Sequence, residues 1–268
     1  MLLCRRVTQA TALFAVSLTP AVFAAPSVKS DLSATEIIAK SAAITQSDYK
    51  AYPKYSHTER DRDGASDKTF RVKMIDGSPY QELIAINGRP LSEAQQQQEQ
   101  NKLRQEIAKR DAETPEARRQ RIANYERDRH RDNTMMQQLT AAFDFELIKT
   151  GRIESFDVYI LKATPKEGYN PPNTDSQVLT GMQGRLWIDK KTFQWVKVTA
   201  QVIHPVSIMG FLARVQPGTR FELEKRPIGD GIWAPSHFAM HANALILGFF
   251  SHKEQQDQVF TDYTLGSQ

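Results

Sequence analysis

Two periods run along the chain. Ile37, Ile38, Ser41, Ala42 and Thr45 recur at helical spacing behind Ser33-Ala34-Thr35-Glu36. That quartet is a capping box, in which the serine hydroxyl accepts a first-turn N–H and the glutamate reaches back. A helix over about 34–47 with one face against a sheet is predicted. After Pro53 the period drops to two: Phe70, Val72 and Met74 alternate with Arg71 and Lys73. Turn formers at Asp63-Gly64, Asp76-Gly77 and Asn87-Gly88 divide this region into a meander of short strands.

The pattern then changes. Ser92-Glu93-Ala94-Gln95 is a second capping box, and Thr114-Pro115 restarts a helix. Between Ser92 and Asn133 stand ten Lys or Arg and nine Asp or Glu, with a thin apolar stripe through Leu103, Ile107, Ile122, Tyr125, Met135, Leu139 and Phe143. The segment 92–140 reads as a charged helical insertion, solvated on most sides; a mobile arm or partner surface is the functional alternative. Its mixed signs argue against nucleic acid.

Strands resume at Phe143. Residues 145–149 and 155–162 suggest a hairpin about Gly151-Arg152. Residues 181–198 suggest another around Asp189-Lys190-Lys191-Thr192, expected at the middle of the sheet. A two-residue turn would pair Leu186 with Trp195. A three-residue turn would pair Leu186 with Val196 and line one face with Val196, Val198, Ala200 and Val202; the aliphatic alternation favours the latter. Phe221 and Leu223 alternate with Arg220, Glu222 and Glu224. A strand from Ile232 carries Ile232, Ala234, Phe238 and Met240 on one face and Trp233, His237 and His241 on the other. Residues 245–252 and 257–265 complete the set. The fold class is therefore α+β, mostly β: one large antiparallel curled sheet, an incomplete β-barrel of about eleven strands, with helices on its concave side. Crossover helices are missing between the later strands, which excludes a parallel βαβ fold, and a sheet this wide must curl or close.

Composition adds an address. Arg5 and Arg6 precede an apolar run, Ala10 to Ala24, that ends in Val22-Phe23-Ala24. This pattern predicts an export signal over 1–24 with a cut after Ala24, leaving one domain over 25–268; a retained anchor is the alternative, but the run is short of the ~20 residues a spanning helix needs. Cys4 is the sole cysteine, so the exported product would fold without disulfides. Net charge is +4, falling to +2 without Arg5 and Arg6. Periplasmic location, a monomeric state and no nucleic-acid partner are expected.

No catalytic motif is present: there is no G-x-S-x-G and no H-E-x-x-H. His237 and His241 lie four apart in a strand, about 13 Å at ~3.3 Å per residue, too far for one zinc, and His204 would have to be brought in by a loop. Asp61 and Asp63 lack the remaining ligands of a calcium loop. Catalytic residues, metal and cofactor are all expected to be none, with a hydrolase as the remaining enzymatic alternative. Two apolar segments, 206–213 and 244–250, are too apolar for solvent loops. Either both are simply buried, or Met209, Phe211, Leu212, Phe249 and Phe250 form a lipid-facing mouth or membrane-touching tip.

The hairpin Gly184, Leu186, Trp187, Ile188, Asp189, Thr192, Val196 and Val198, together with Phe221-Glu222-Leu223 and Gly231-Ile232-Trp233-Ala234-Pro235, resembles the periplasmic lipoprotein-carrier (LolA/LolB-like) superfamily, and most of all outer-membrane lipoprotein-sorting proteins. The resemblance covers about 53–91 and 143–265. It implies an unclosed barrel with a helical lid over a cavity for acyl chains, lined here by Leu186, Ile188, Val196, Val198, Phe221, Leu223, Ile232, Phe238 and Met240. The implied ligand is a lipid or lipidated protein, with a partner protein in either membrane. The superfamily also includes envelope-stress sensors that bind a regulator, the alternative role.

Overall fold

A computed structural model describes residues 32–208, 212–247 and 250–266; the segment 1–24 and the candidates Met209, Phe211 and Phe249 lie outside them. Helix α1 (Ala34–Ala51) opens on the expected box, with Ser33 accepting from the Glu36 N–H and Glu36 returning to the Ser33 N–H. It runs one turn beyond the predicted end. The strands are β1 (Tyr55–Asp63), β2 (Ser66–Ile75), β3 (Ser78–Ile86), β4 (Arg89–Pro90), β5 (Phe143–Ile153), β6 (Phe156–Pro165), β7 (Met182–Asp189), β8 (Trp195–Val202), β9 (Val206–Ser207), β10 (Ala213–Val215), β11 (Arg220–Gly229), β12 (Ile232–Ile246) and β13 (Phe250–Leu265). Helices α2 (Glu93–Asp111) and α3 (Pro115–Ala142) fill the charged insertion, and 3-10 turns span Tyr52–Lys54 and Asp175–Gly181.

Eleven strands follow one antiparallel path, β4-β3-β2-β1-β13-β12-β11-β8-β7-β6-β5, and its two ends do not pair. This is the open antiparallel sheet the pattern called for. Its centre differs. The β7–β8 hairpin stands near the β5 edge, and β12 takes the middle. The reason is that β13 returns to pair with β1, adding the N-terminal meander to that side. The turn of the β5–β6 hairpin falls at Glu154-Ser155, with Glu154 at φ 51°, instead of at Gly151-Arg152. Likewise 245–252 is not one strand, because the chain turns between Ile246 and Phe250.

The β7–β8 register follows neither expected turn. Leu186 pairs with Val198 and Ile188 with Trp195, leaving Val196 as an unpaired bulge residue. The Asp189 carboxylate accepts from the Thr192 N–H and hydroxyl, and Phe193 sits at φ 58°. The loop is one residue longer than the favoured turn, and the unpaired Val196 supplies the second residue of the register shift. The bulge breaks the aliphatic series. Val198, Ala200 and Val202 join Leu186, Ile188 and Trp195 in the main core with Ile37, Ile38, Phe143 and Leu161. Val196 packs in a second cluster with Val158, Ile160 and Trp233.

A second bulge resets β12. Leu223 pairs with Phe238 but Lys225 pairs with Pro235, so Ser236 has no opposite number. Phe238 and Met240 therefore share the Leu223 and Pro235 face, while Ile232 and Ala234 fall on the other. The single-face reading of these four fails for that reason.

The insertion is tied down by arginines. Arg110 is buried and donates to the carbonyls of Ile75, Ser78 and Pro79 at 2.6, 3.0 and 3.3 Å. Arg121 donates to Asp76 O and Ser78 Oγ while pairing with Glu113. Gly77 sits at φ 83° against Ile122, where a Cβ would lie 3.0 Å from the isoleucine Cδ1. The β2–β3 turn thus plugs the α2–α3 hairpin. Arg110→Met is expected to remove about 2 kcal/mol of local stability, read as roughly 30-fold faster native-state hydrogen exchange in α2 and at 75–79 with β6–β8 unchanged. Unaltered protection in α2 would show that the helices are held elsewhere.

Candidate functional site

The concave face of the β1–β3 and β11–β13 half of the sheet is not filled by side chains. Helices α1 and α3 stand over it and leave an open cavity of 870 Å³. Its apolar wall is Tyr55, Val72, Met74, Leu223, Pro235 and Phe260. A smaller cavity of 210 Å³ continues past Thr45, between Ile38, Ala42, Leu139, Phe145, Leu186 and Trp195. Alternation explains why β1 and β11 line the large one. Tyr55, His57 and Glu59 are the inward, buried positions of β1, and Phe221, Leu223 and Lys225 the inward positions of β11.

Polar groups are set into this wall. Asp48 lies near the C-terminus of α1, where the helix dipole disfavours an anion. Three partners compensate: Lys225 Nζ at 2.8 Å, Gln194 Nε2 at 3.2 Å and the Trp233 N–H at 3.2 Å. Lys225 and Asp48 side chains are only 8% and 7% exposed. Burial pulls the Lys225 ammonium below the ordinary lysine range, and Asp48 opposes that pull by charge and hydrogen bond.

A second polar cluster stands beside it. His57 stacks on Tyr263 at 5.1 Å and meets Tyr52 at 5.9 Å and Phe260 at 5.8 Å. Burial depresses its pKa to about 4, so the imidazole is neutral at physiological pH. Glu59 accepts from Gln258 Nε2 at 2.8 Å, and burial, then the charge of Asp61, raise its pKa. Burial pushes the Tyr52 phenol up to about 12 and the Tyr263 phenol higher still; Tyr263 donates to Pro235 O. The helical roof is latched by Arg129, whose guanidinium lies 4.4 Å over the Tyr49 ring and donates to Tyr49 O at 2.6 Å. Tyr125, one turn earlier on α3, also faces the cavity.

The nine residues expected to line one pocket are dispersed. Leu186, Ile188, Val198 and Phe221 belong to or pack on the main core, with Leu186 also on the smaller cavity. Leu223 lines the large cavity. Val196 lies in the second cluster and Met240 borders a groove of 510 Å³. Ile232 and Phe238 are half-buried. Of the mouth candidates, Leu212 lies beside Leu247 on one side of β12 and Phe250 pairs with Ile246 on the other. Sequence reasoning passed over Asp48, His57, Glu59, Arg129 and Lys225. On the opposite face of the sheet, His237 meets Glu222 and Glu224, with ligand-capable atoms within 4.8 Å of one another, rather than His241. Lys197 Nζ already bridges the two carboxylates at 2.5 and 3.1 Å.

No protein-family model and no curated protein matches the chain. Among solved structures, the fold is similar to a LolA superfamily protein from Nitrosomonas europaea: 13% identity over 88% of this chain and 95% of that one, TM-score 0.34. A domain named provisionally as an outer membrane lipoprotein-sorting protein, from Vibrio parahaemolyticus, aligns at 11% identity over 83% and 91%, TM-score 0.32. A DUF1329 family protein from Desulfovibrio piger aligns at 13% over 85% and 92%, TM-score 0.31. These three alignments, to a LolA superfamily protein, a lipoprotein-sorting domain and a DUF1329 protein, each run along most of this chain.

Proposed function

We propose that the protein holds an acyl-bearing amphiphile, a lipid or the lipidated end of a protein, in the cavity under α1 and α3, and that it does so in the periplasm after loss of 1–24. The observation that carries this reading is the 870 Å³ cavity itself, lined by Tyr55, Val72, Met74, Leu223 and Phe260. Small-molecule sites span about 300–1,000 Å³ and combine apolar walls with a few placed polar groups. Each buried methylene contributes about 0.8 kcal/mol, so an acyl chain of ordinary length offsets the roughly 4–15 kcal/mol lost on association. The polar set fits a head rather than a tail: neutral His57, the Tyr52 phenol and the Arg129 guanidinium line the same space.

Native mass spectrometry of the protein purified from its own envelope is expected to show a co-purifying lipid, and a fluorescent fatty acid is expected to be displaced by it. Leu223→Trp, which fills the cavity from a half-buried position, is expected to weaken the fluorescent probe at least tenfold. Absence of both a co-purifying lipid and probe binding would sink the proposal. The intact mass of the same material tests the cut after Ala24.

A further inference from the structure

The described parts of the two apolar segments that stand apart in the sequence meet in one projecting finger. β11 begins at Arg220, opposite His241, and β1 reaches only as far as Gln256 of β13. Residues Ala242–Ile246 of β12 and Phe250–Glu254 of β13 therefore run on beyond both neighbouring strands, about 17 Å at ~3.3 Å per residue, paired with each other and braced by β10. The Leu247 N–H donates to Leu212 O at 2.8 Å, which sets these two leucines side by side at the end. Leu212, Ile246, Leu247 and Phe250 are 40%, 41%, 47% and 57% exposed. Leu247 holds φ 53°, a turn position that favours asparagine or glycine, so neither the turn nor solubility calls for a leucine there.

Charge along the finger is cationic except for Glu254 at its base. The sequence carries no Asp or Glu between Asp189 and Glu222, and none between Asp230 and Glu254. Exposed Arg214 and Lys253 lie on one face of the finger and exposed His252 on the other, all behind the apolar end. Among the described residues no carboxylate pairs with Arg214 or Lys253; Glu254 stands 3.9 Å from His252 at the base. An apolar end behind which a cationic collar sits is complementary to an anionic bilayer, whose hydrocarbon takes the leucines and phenylalanine and whose headgroups take the collar.

We infer that the finger docks the protein on an anionic phospholipid membrane, with Leu212, Leu247 and Phe250 entering the interface and Arg214 and Lys253 against the headgroups. The finger is separate from the large cavity, so this holds whatever that cavity contains. The test is sedimentation of the purified protein with vesicles of phosphatidylcholine alone or with about a third phosphatidylglycerol, every variant carrying the same N-terminus. Wild type is expected to bind the anionic vesicles and to release in high salt. Leu247→Ser with Phe250→Ser is expected to lower partitioning at least tenfold, and Arg214→Glu or Lys253→Glu by about fivefold or more each, all with unchanged thermal unfolding. A Phe250→Trp chain is expected to show blue-shifted added emission on the anionic vesicles only. Three results would overturn the inference: no vesicle binding by wild type, binding that the finger variants leave intact, or an oligomer without lipid that the same variants dissolve.

Discussion

Lys225→Met is expected to cost about 3–5 kcal/mol of folding stability, measured as the denaturation free energy at pH 7. The substitution keeps the aliphatic stem and removes the one cation bonded to Asp48 among the described residues. The carboxylate then remains buried at the C-terminal end of α1 with two neutral donors, Gln194 and the Trp233 N–H. Domains of this kind hold about 5–15 kcal/mol in total, so the loss is a large share. Asp48→Asn is expected to cost a similar amount, with a different pH dependence. It removes both influences that keep Lys225 charged and leaves burial alone, so the Lys225 pKa falls further below 10.5. A lysine with a depressed folded pKa is protonated first in the unfolded chain, and stability then rises with pH between the folded and unfolded values. The Asp48→Asn deficit should therefore shrink from pH 7 toward pH 10, while the Lys225→Met deficit does not follow that course. Asp48→Leu combined with Lys225→Met is expected to recover part of the loss, because no charge is left buried; recovery stops short where Gln194 and Trp233 lose their acceptor. Equal and pH-independent costs for all three chains would show that the pair is solvated.

This pair also marks where the sequence was legible and where it was not. The alternation that put Phe221 and Leu223 inward puts Lys225 inward by the same count, and a lysine at a core position is itself a signal of a buried partner. Asp48 likewise continues the Ile37, Ser41 face of α1. What the pattern could not supply was the partner, because 177 positions separate the two residues. Bulges account for the other misreadings. One unpaired residue at Val196 and one at Ser236 invert everything that follows on their strands; Val196 carries no glycine or proline beside it, whereas Pro235, a proline within a central strand, marks the second bulge. The turns that came out as expected, Asp76-Gly77 and Asn87-Gly88, are those whose positive φ demands particular residues. The open sheet and the capped helices were readable because periodicity and caps are local. The cavity was not, since it is a place where core positions of β1, β2 and β11 go unfilled.

Acidification is expected to weaken the cavity wall through His57. Its folded pKa of about 4 lies below the unfolded value of 6.5, so the unfolded chain takes the proton first. The contribution of His57 is fully present above pH 6.5 and is lost as pH falls from there to about 4. The shift sets a ceiling of roughly 3 kcal/mol, and contact with an open cavity lowers this to about 2. The groups around it do not mask the effect equally. Tyr52 and Tyr263 stay protonated throughout. Glu59, 4.0 Å away and with a raised pKa, takes its proton first in the folded chain and so works in the opposite direction. For that reason the readout is a difference: wild type minus His57→Phe, which retains a ring against Tyr263. That difference in unfolding free energy is expected to shift by about 2 kcal/mol between pH 7 and pH 4.5, with wild type losing more. Parallel profiles would mean that His57 is protonated without penalty and faces water. A ligand that fills the cavity must deepen the effect, since it removes the remaining solvent from the imidazole while binding only the folded chain. The same titration on lipid-loaded and delipidated protein therefore reports whether the occupant reaches this wall.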